Sequence, residues 1–498
     1  MHHNSIHHTR RDMLRSTLYA GSALALSTWA RAQGSNGDIR VAVIGFNARG
    51  LGHIKSLMEI KGVRIVALCD VDSKVLGAKV AEFAKKNITV KGYADYRKLC
   101  EDKDIDAVTI ATPNHTHTLI AMTALAHGKH VYVEKPVCHN IWEGAQLVKA
   151  GEAAGKKGII LQHGQQRRSD LGWASAIEFV QSGAIGKLVL SRGTNYKPRP
   201  SIGKVSAPRE APKTVDYNLW SGPRPMLPIM REKFHYDWHW QWAYGSGDIG
   251  NQGPHQLDVG RWVLGNPAPP TRLMSFGGRW GYTDDGQTAN NQMALYDWGQ
   301  GKAPLLFDNR GLPAKNMEWG KGTVPVYYVT GQGKGGSTQI GNVFHCEGGY
   351  VAESKAYDKD GAMIKKFEDF REGPNHMPNF IASIKAGKLV NSNLHIAHGF
   401  NCATLAHLAN ISYRLGKKVA PGEIKERLQG DKAASETFEN FVANLGANQV
   451  DIGTDQAALG PWVSLNPVTM KFEGEFAEEA NKLATEEYRK EFELPAVS

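Results

Sequence analysis

Two stretches of the 498-residue chain concentrate side chains able to move protons and steady charge. One is Gly247-Asp248-Ile249-Gly250-Asn251-Gln252-Gly253-Pro254-His255-Gln256-Leu257-Asp258. The other is Val133-Glu134-Lys135-Pro136, preceded by Ala111-Thr112-Pro113-Asn114-His115-Thr116-His117. A histidine such as His255 titrates where a base works near neutral pH. A lysine ammonium such as Lys135 stabilises negative charge growing on an oxygen. Together they suit the removal of a hydroxyl proton while a hydride leaves the carbon, a reaction that requires a hydride acceptor. Asp258, at i+3 from His255, would share its face of a helix, and Glu134 is placed to hold the lysine.

The acceptor has a place in the sequence. The apolar run Arg40 to Gly45 leads into Gly45-Phe46-Asn47-Ala48-Arg49-Gly50 and then a helical pattern, so backbone N–H groups at the helix start can meet a pyrophosphate. Asn47 stands where the middle glycine of G-x-G-x-x-G is expected and adds bulk, which makes the motif imperfect. Asp70 ends the next apolar run, where an acid hydrogen-bonds the adenosine ribose hydroxyls and repels a 2′-phosphate. NAD is therefore favoured over NADP.

The elements around these motifs follow a βα rhythm from Ile39 to about Gln162. Arg40–Gly45, Arg64–Asp70, Asp106–Ala111, His130–Glu134 and Gly158–Gln162 read as near-continuous apolar strands, with amphipathic segments at His117–His127 and Trp142–Ala154. That pattern predicts a parallel, doubly wound sheet. After about Arg168 the texture turns to loops (197–213, 266–271) and glycine-punctuated β patterns such as Val324–Thr330. Helices return near Asn379–Gly387 and Gly399–Leu415, and a charged helix is expected over Ala477–Phe492. The fold class expected is α/β: an NAD-binding Rossmann domain over residues 38–165, then an α+β substrate-binding and oligomerisation domain over 166–498 with a large, mostly antiparallel open sheet.

The first 32 residues stand apart. Thr9-Arg10-Arg11-Asp12-Met13-Leu14-Arg15, an apolar small-residue stretch to Trp29, and Ala30-Arg31-Ala32 resemble a twin-arginine export signal with its cleavage site. The stretch is too short and too rich in Ala, Ser and Gly for a stable membrane span. The expectation is export through the Tat machinery to the periplasm, with the folded protein carrying any cofactor already in place.

Composition excludes some classes. With 41% hydrophobic and 22% charged residues the chain is globular, and its +10 charge is not gathered on one element, so nucleic acid is not an expected partner. Cys69, Cys100, Cys138, Cys346 and Cys402 form no CxxC pair, so no metal site is expected and the five read as small buried residues. Gly331-Gln332-Gly333-Lys334-Gly335-Gly336 lacks P-loop spacing and reads as a loop.

The glycine turn, Asp70, the Glu-Lys-Pro tripeptide and the G-x-H-x-x-D element, in this order, resemble the glucose-fructose oxidoreductase and inositol dehydrogenase family (Gfo/Idh/MocA), over essentially the whole chain after the signal. The resemblance implies that Lys135 contacts a substrate hydroxyl and the nicotinamide ribose, that His255 is the acid/base, that Lys135-Pro136 is cis, and that the protein is a homo-oligomer. The cofactor would be held by Gly45, Asn47, Ala48, Arg49, Gly50, Asp70, Thr112, Pro113, Asn114, His117, Glu134 and Lys135. The substrate, a carbohydrate or polyol, would meet Lys135, Gln165, His239, Asp248 and His255. Family members usually carry an aspartate four residues before the histidine. Here it is Asn251, which can orient but contributes no charge, so His255 is a weaker base unless Asp248 or Asp258 compensates.

Three functions stay open at this stage. The leading one is an NAD-dependent sugar or polyol oxidoreductase with a tightly bound cofactor. The second is a redox-neutral, NAD-dependent glycosidase, which would need no pair of catalytic carboxylates; those similar to it usually lack the lysine that this chain keeps. The third is a non-catalytic sugar- or dinucleotide-binding protein. The aromatic run Phe234-His235-Tyr236-Asp237-Trp238-His239-Trp240-Gln241-Trp242 serves either as a carbohydrate platform or as core.

Overall fold

The computed structural model describes residues 37–313, 339–352, 354–368, 373 and 375–496. The segment resembling an export signal, the β pattern at Val324–Thr330 and the glycine-rich stretch 331–336 lie outside the described residues.

Six parallel strands form the first sheet: β1 (Ile39–Ile44), β2 (Val63–Cys69), β3 (Lys91–Tyr93), β4 (Ala107–Ile110), β5 (His130–Val133) and β6 (Leu161–His163), in the order β3-β2-β1-β4-β5-β6. Strands β1, β4 and β5 are apolar because helices cover both faces. The helices are α1 (Arg49–Met58), α2 (Ser73–Lys85), α3 (Tyr96–Glu101), α4 (His117–Ala126) and α5 (Ile141–Lys156). β3 was not anticipated, since Lys-Gly-Tyr carries no apolar run. α4 is not amphipathic as expected: it is buried from His117 to Leu125, packed against β5, α3 and α5. The strand order reverses between β1 and β4, and the crevice at their carboxyl ends is where an open α/β sheet binds its ligand.

Among the described residues the second sheet has ten strands, ordered β14-β13-β12-β11-β7-β10-β9-β8-β16-β15. They are β7 (Leu188–Tyr196), β8 (Arg272–Gly278), β9 (Asn291–Asp297), β10 (Leu305–Arg310), β11 (Gln339–Cys346), β12 (Gly349–Ala352), β13 (Lys355–Asp358), β14 (Met363–Lys366), β15 (Lys417–Val419) and β16 (Ala457–Leu459). All neighbours are antiparallel except β7 and β10, which run parallel. Alongside run helices α6 (Leu171–Gln181), α7 (Tyr217–Ser221), α8 (Gly247–Asn251), α9 (Gly253–Val263), α10 (His376–Ala386), α11 (Ile396–Leu415), α12 (Pro421–Arg427), α13 (Lys432–Ala447) and α14 (Ala477–Leu483).

One apolar core joins the two sheets. Leu257 of α9 and Leu405 of α11 share a cluster with Phe307 of β10 on one side and with Cys138, Ile141 and Leu147 on the other. The far face of the large sheet is covered by α13, whose Phe438 and Phe441 meet Phe276 edge to face. All five cysteines are buried. No helix among the described residues is long and apolar enough to cross a membrane.

The expected helix over Ala477–Phe492 stops at Leu483, and the chain then runs extended to a single 3-10 turn at Lys490–Phe492. Long-range partners override the local helical preference. Glu486 pairs with Arg224, Tyr488 donates to Glu143, and Arg489 donates to Asn218 and Gly222, while Phe492 is buried.

Candidate active site

The turn after β1 is built for close approach. Gly45 has φ +75, and a Cβ there would stand 2.7 Å from Thr112 Cγ2; a Cβ on Gly50 would stand 2.1 Å from the carbonyl oxygen of Gly45. Both outer glycines are therefore required by space, whereas Asn47 at the middle position is exposed and its side chain is accommodated. α1 receives no side-chain cap from Ala48, and although the Leu51 N–H is taken by the Ala48 carbonyl, the start of the helix faces the cleft where an anion could meet it.

Asp70 closes the same corner. Its Oδ2 accepts from the Phe46 N–H at 3.2 Å and its Oδ1 from the Asp72 N–H at 3.0 Å. Burial raises its pKa, against the pull of those two N–H groups. Gly45, Asn47, Ala48, Arg49, Asp70, Thr112, Pro113, Asn114, His117, Glu134 and Lys135 all line one cleft of about 310 Å³. Ligand sites run from roughly 300 to 1,000 Å³, and this one stands at the lower end. His117 ties the two motif loops together, with Nδ1 at 2.7 Å from Pro136 O and Nε2 at 2.7 Å from Thr112 O.

Glu134 is buried, and its partners differ from the expected ones. Oε1 accepts from Arg49 Nε (2.8 Å), His53 Nε2 (3.1 Å) and Gln166 Nε2 (2.8 Å), while Oε2 accepts the backbone N–H of Lys135. Burial alone would raise its pKa, but Arg49 and His53 outweigh that and hold it well below the carboxylate range. Glu134 thus braces the Lys135 backbone. The ammonium goes elsewhere: Nζ donates to Asn251 O at 2.6 Å and to Asn251 Oδ1 at 3.4 Å, across to α8. The Lys135-Pro136 bond is cis.

Beyond Asn251 the contacts continue. Asn251 Nδ2 donates to Asp248 Oδ1 at 3.3 Å, and both oxygens of Asp248 accept from the Arg199 guanidinium at 2.7 Å each. Asp248 was expected to bind substrate, but its carboxylate is engaged by this arginine, which the sequence reading did not single out. His255, on α9, is half-buried and is not among the residues that line the cleft; burial and the cations of Lys135 and Arg167 hold its pKa well below the usual imidazole range, so the ring is neutral. His239 lines the cleft, stacked on Trp238 with ring centroids 3.7 Å apart, and burial lowers its pKa to about 4.

Two expected residues are not part of this constellation. Asp258 does lie on the helix of His255, but its carboxylate accepts a two-pronged pair of bonds from Arg168 at 2.7 and 2.8 Å in a fully buried ion pair. It cannot compensate for Asn251. Gln165 is buried and donates to Cys402 Sγ; it is its neighbour Gln166 that reaches Glu134.

A roof over the cleft was not read from the sequence. Asp72 and Val215 form an antiparallel bridge, Ser73 N donates to Thr214 O, Asp216 N donates to Val71 O, and His235 Nε2 stands 2.9 Å from Asp72 Oδ2. The segment from Thr214 to His239 therefore crosses the end of β2. Within the aromatic run, Phe234, Trp238 and Trp240 are buried, and Phe234 and Trp238 share a small core with Trp220 and Tyr244; Tyr236, Trp238 and His239 also border the cleft. The run is thus core and cleft wall at once.

Residues 39–163 match the model of an oxidoreductase family described as an NAD-binding Rossmann fold, Gfo/Idh/MocA, and residues 178–273 match that family's C-terminal alpha/beta domain. The two matches, in the family's own order, make the chain similar to both parts of that oxidoreductase family over less than half of its length. The likeness to the family by sequence ends at residue 273, short of the whole-chain resemblance expected. An inositol 2-dehydrogenase of Salmonella typhimurium is 31% identical over 182 residues, covering 36% of this chain and 52% of its own length. A glycosyl hydrolase family 109 protein of a Shewanella species is 30% identical over 156 residues, covering 30% and 33%. The chain thus spans about half the length of the first and a third of the second. Among solved structures, myo-inositol dehydrogenase of Lactobacillus casei, in complex with NAD(H) and myo-inositol, superposes with a TM-score of 0.51 at 17% identity, over 76% of this chain and 95% of that one. At that identity the likeness is one of fold. The matched Rossmann model is described as NAD-binding, which agrees with the glycine turn and Asp70.

Proposed function

We propose that this protein is an NAD-dependent oxidoreductase acting on a CH–OH carbon of a sugar or polyol, with the dinucleotide held tightly in the roofed cleft. The observation that carries the reading is Lys135, on the loop after β5, standing in the same cleft as the glycine turn and Asp70. NAD, when bound, supplies the hydride acceptor. Lys135 would donate to the substrate oxygen and stabilise the negative charge that grows there. His255, kept neutral, would take the hydroxyl proton. The glycine turn and the start of α1 would receive the pyrophosphate, and Asp70 would take the ribose hydroxyls in preference to a 2′-phosphate. His239 and Trp238 would form the wall against the substrate.

The test is to purify the protein without added cofactor, record the reduced-nicotinamide band, and add free polyols and sugars. A lasting rise supports the dehydrogenase. The second reading, a redox-neutral glycosidase, is favoured by the hydrolase-named relative; it predicts aglycone release from aryl glycosides with no lasting rise. Ligand binding with no response in either assay, even with NAD added, leaves a binding protein. Export is part of the proposal, on the strength of Arg10-Arg11 and Ala30-Arg31-Ala32, and a tagged chain found in the cytoplasm of a Tat-competent host would overturn it.

A further inference from the structure

The position four residues before His255, which in the family pattern is acidic, is Asn251 in this chain. An amide cannot balance a buried ammonium, yet Lys135 Nζ has turned to Asn251 and is held by its backbone carbonyl and, more loosely, by its side-chain oxygen. The amide could face either way. Its orientation is set by Asp248 Oδ1, an acceptor only, which takes the Nδ2 end and so leaves Oδ1 towards the lysine. Asp248 in turn is fixed, because its side chain is buried and both oxygens are taken by the planar fork of Arg199. Arg199 is itself anchored by donating to Tyr236 OH at 3.2 Å and by lying over the Trp240 ring.

We infer that Arg199 and Asp248 are the positioning pair for Lys135: the carboxylate missing at residue 251 is supplied from residue 248, carried to the lysine through the Asn251 amide and locked in direction by the arginine fork. The inference rests on the proposed reaction for its consequence but not for its geometry. It also accounts for Asp248, whose place in the motif suggests substrate binding but whose two oxygens are taken by Arg199.

The charged and titratable groups around Lys135 come from every wall of the site. They are Glu134 on its own loop, Arg49 of α1, His117 of α4, Asp248 of α8, Arg199, His239, His255 of α9 and Cys402 of α11. Burial lowers the lysine's pKa and the cations of Arg49 and Arg199 add to that, while Glu134 and Asp248 oppose it. Glu134, the stronger of the two carboxylate influences, has its oxygens taken by Arg49, His53, Gln166 and the Lys135 backbone N–H; Asp248 is the carboxylate that reaches the ammonium from across the cleft, through Asn251.

The experiment is competitive acetylation of the whole protein across a pH series, with the reactivity of Lys135 read by mass spectrometry in the wild type, Asp248→Asn, Arg199→Lys and the double variant Asp248→Asn with Asn251→Asp. The readout needs no turnover, so it stands even if no polyol reduces the cofactor. Removing the carboxylate should shift the titration midpoint of Lys135 down by about one unit and raise its labelling severalfold at neutral pH. Moving the acid to 251 should restore both. Arg199→Lys, which keeps a charge and loses the fork, should give an intermediate midpoint, and it serves alone if Asp248→Asn fails to fold. Where activity is measurable, kcat should fall about tenfold or more with KM changed less, and the double variant should recover it. An unchanged Lys135 midpoint in folded Asp248→Asn or Arg199→Lys, or no recovery when the acid is moved to 251, overturns the inference.

Discussion

Lys135 and Asn251 are 116 residues apart and meet at 2.6 Å, Nζ to carbonyl oxygen, so a lysine from the parallel sheet is held by a helix of the other half. The contact places the ammonium at the junction of the two sheets, where a substrate would have to displace or share it.

Lys135→Met keeps the apolar stem and removes the charge. It is expected to lower turnover by about 10²–10³ while NAD still binds, as measured by cofactor titration beside steady-state rates. Retention of full activity would remove Lys135 from the reaction.

Because the folded-state pKa of His255 lies well below the ordinary value of about 6.5, the ring stays neutral and ready to accept a proton through that value. The acid limb of kcat/KM in the direction of alcohol oxidation is expected below pH 6.5, and it should vanish with His255→Ala along with the activity. The same shift has a stability sign: the unfolded chain takes up the proton first, so this residue's contribution is present above pH 6.5 and is lost as pH falls from there towards the folded value.

Gly50→Ala introduces a methyl 2.1 Å from the carbonyl of Gly45, a backbone atom with nowhere to go. The variant should lose about 1–3 kcal/mol of stability and most of its affinity for NAD, seen by thermal unfolding and by titration. Asn47→Gly, at the exposed middle position, should leave stability within a few tenths of a kcal/mol and retain binding.

Asp70→Ser removes the carboxylate at the ribose corner. Discrimination between NAD and NADP is expected to narrow by about tenfold or more, the equivalent of 1.4 kcal/mol; unchanged preference would shift the assignment to the neighbouring Asp72.

Arg489→Ala takes away the bonds by which the tail holds Asn218 and Gly222, next to the cleft residues Leu219 and Trp220. A loss of about 2 kcal/mol is expected, together with faster release of bound dinucleotide in a dilution assay.

The glycine turn, Asp70 and Lys135 were legible as cleft residues because each belongs to a local pattern: a strand running into a helix, or a short motif on a single loop. The strands of the first sheet were legible for the same reason, as unbroken apolar runs. Arg199 was not, because nothing near it in sequence marks it, and its partner is 49 residues on. The roof was not, because Asp72 and His235 are 163 residues apart and the bridge at Val215 rests on no apolar pattern. Asp258 and Gln165 misled because spacing gives a shared face or a nearby strand end, and says nothing of a buried Arg168 or of Cys402 competing for them.

The bridge between Asp72 and Val215 has a kinetic meaning. Were a dinucleotide to bind beneath it as proposed, its release would include local opening of the strap at Thr214–Asp216, so its residence time would report the protein's local unfolding as well as its equilibrium affinity.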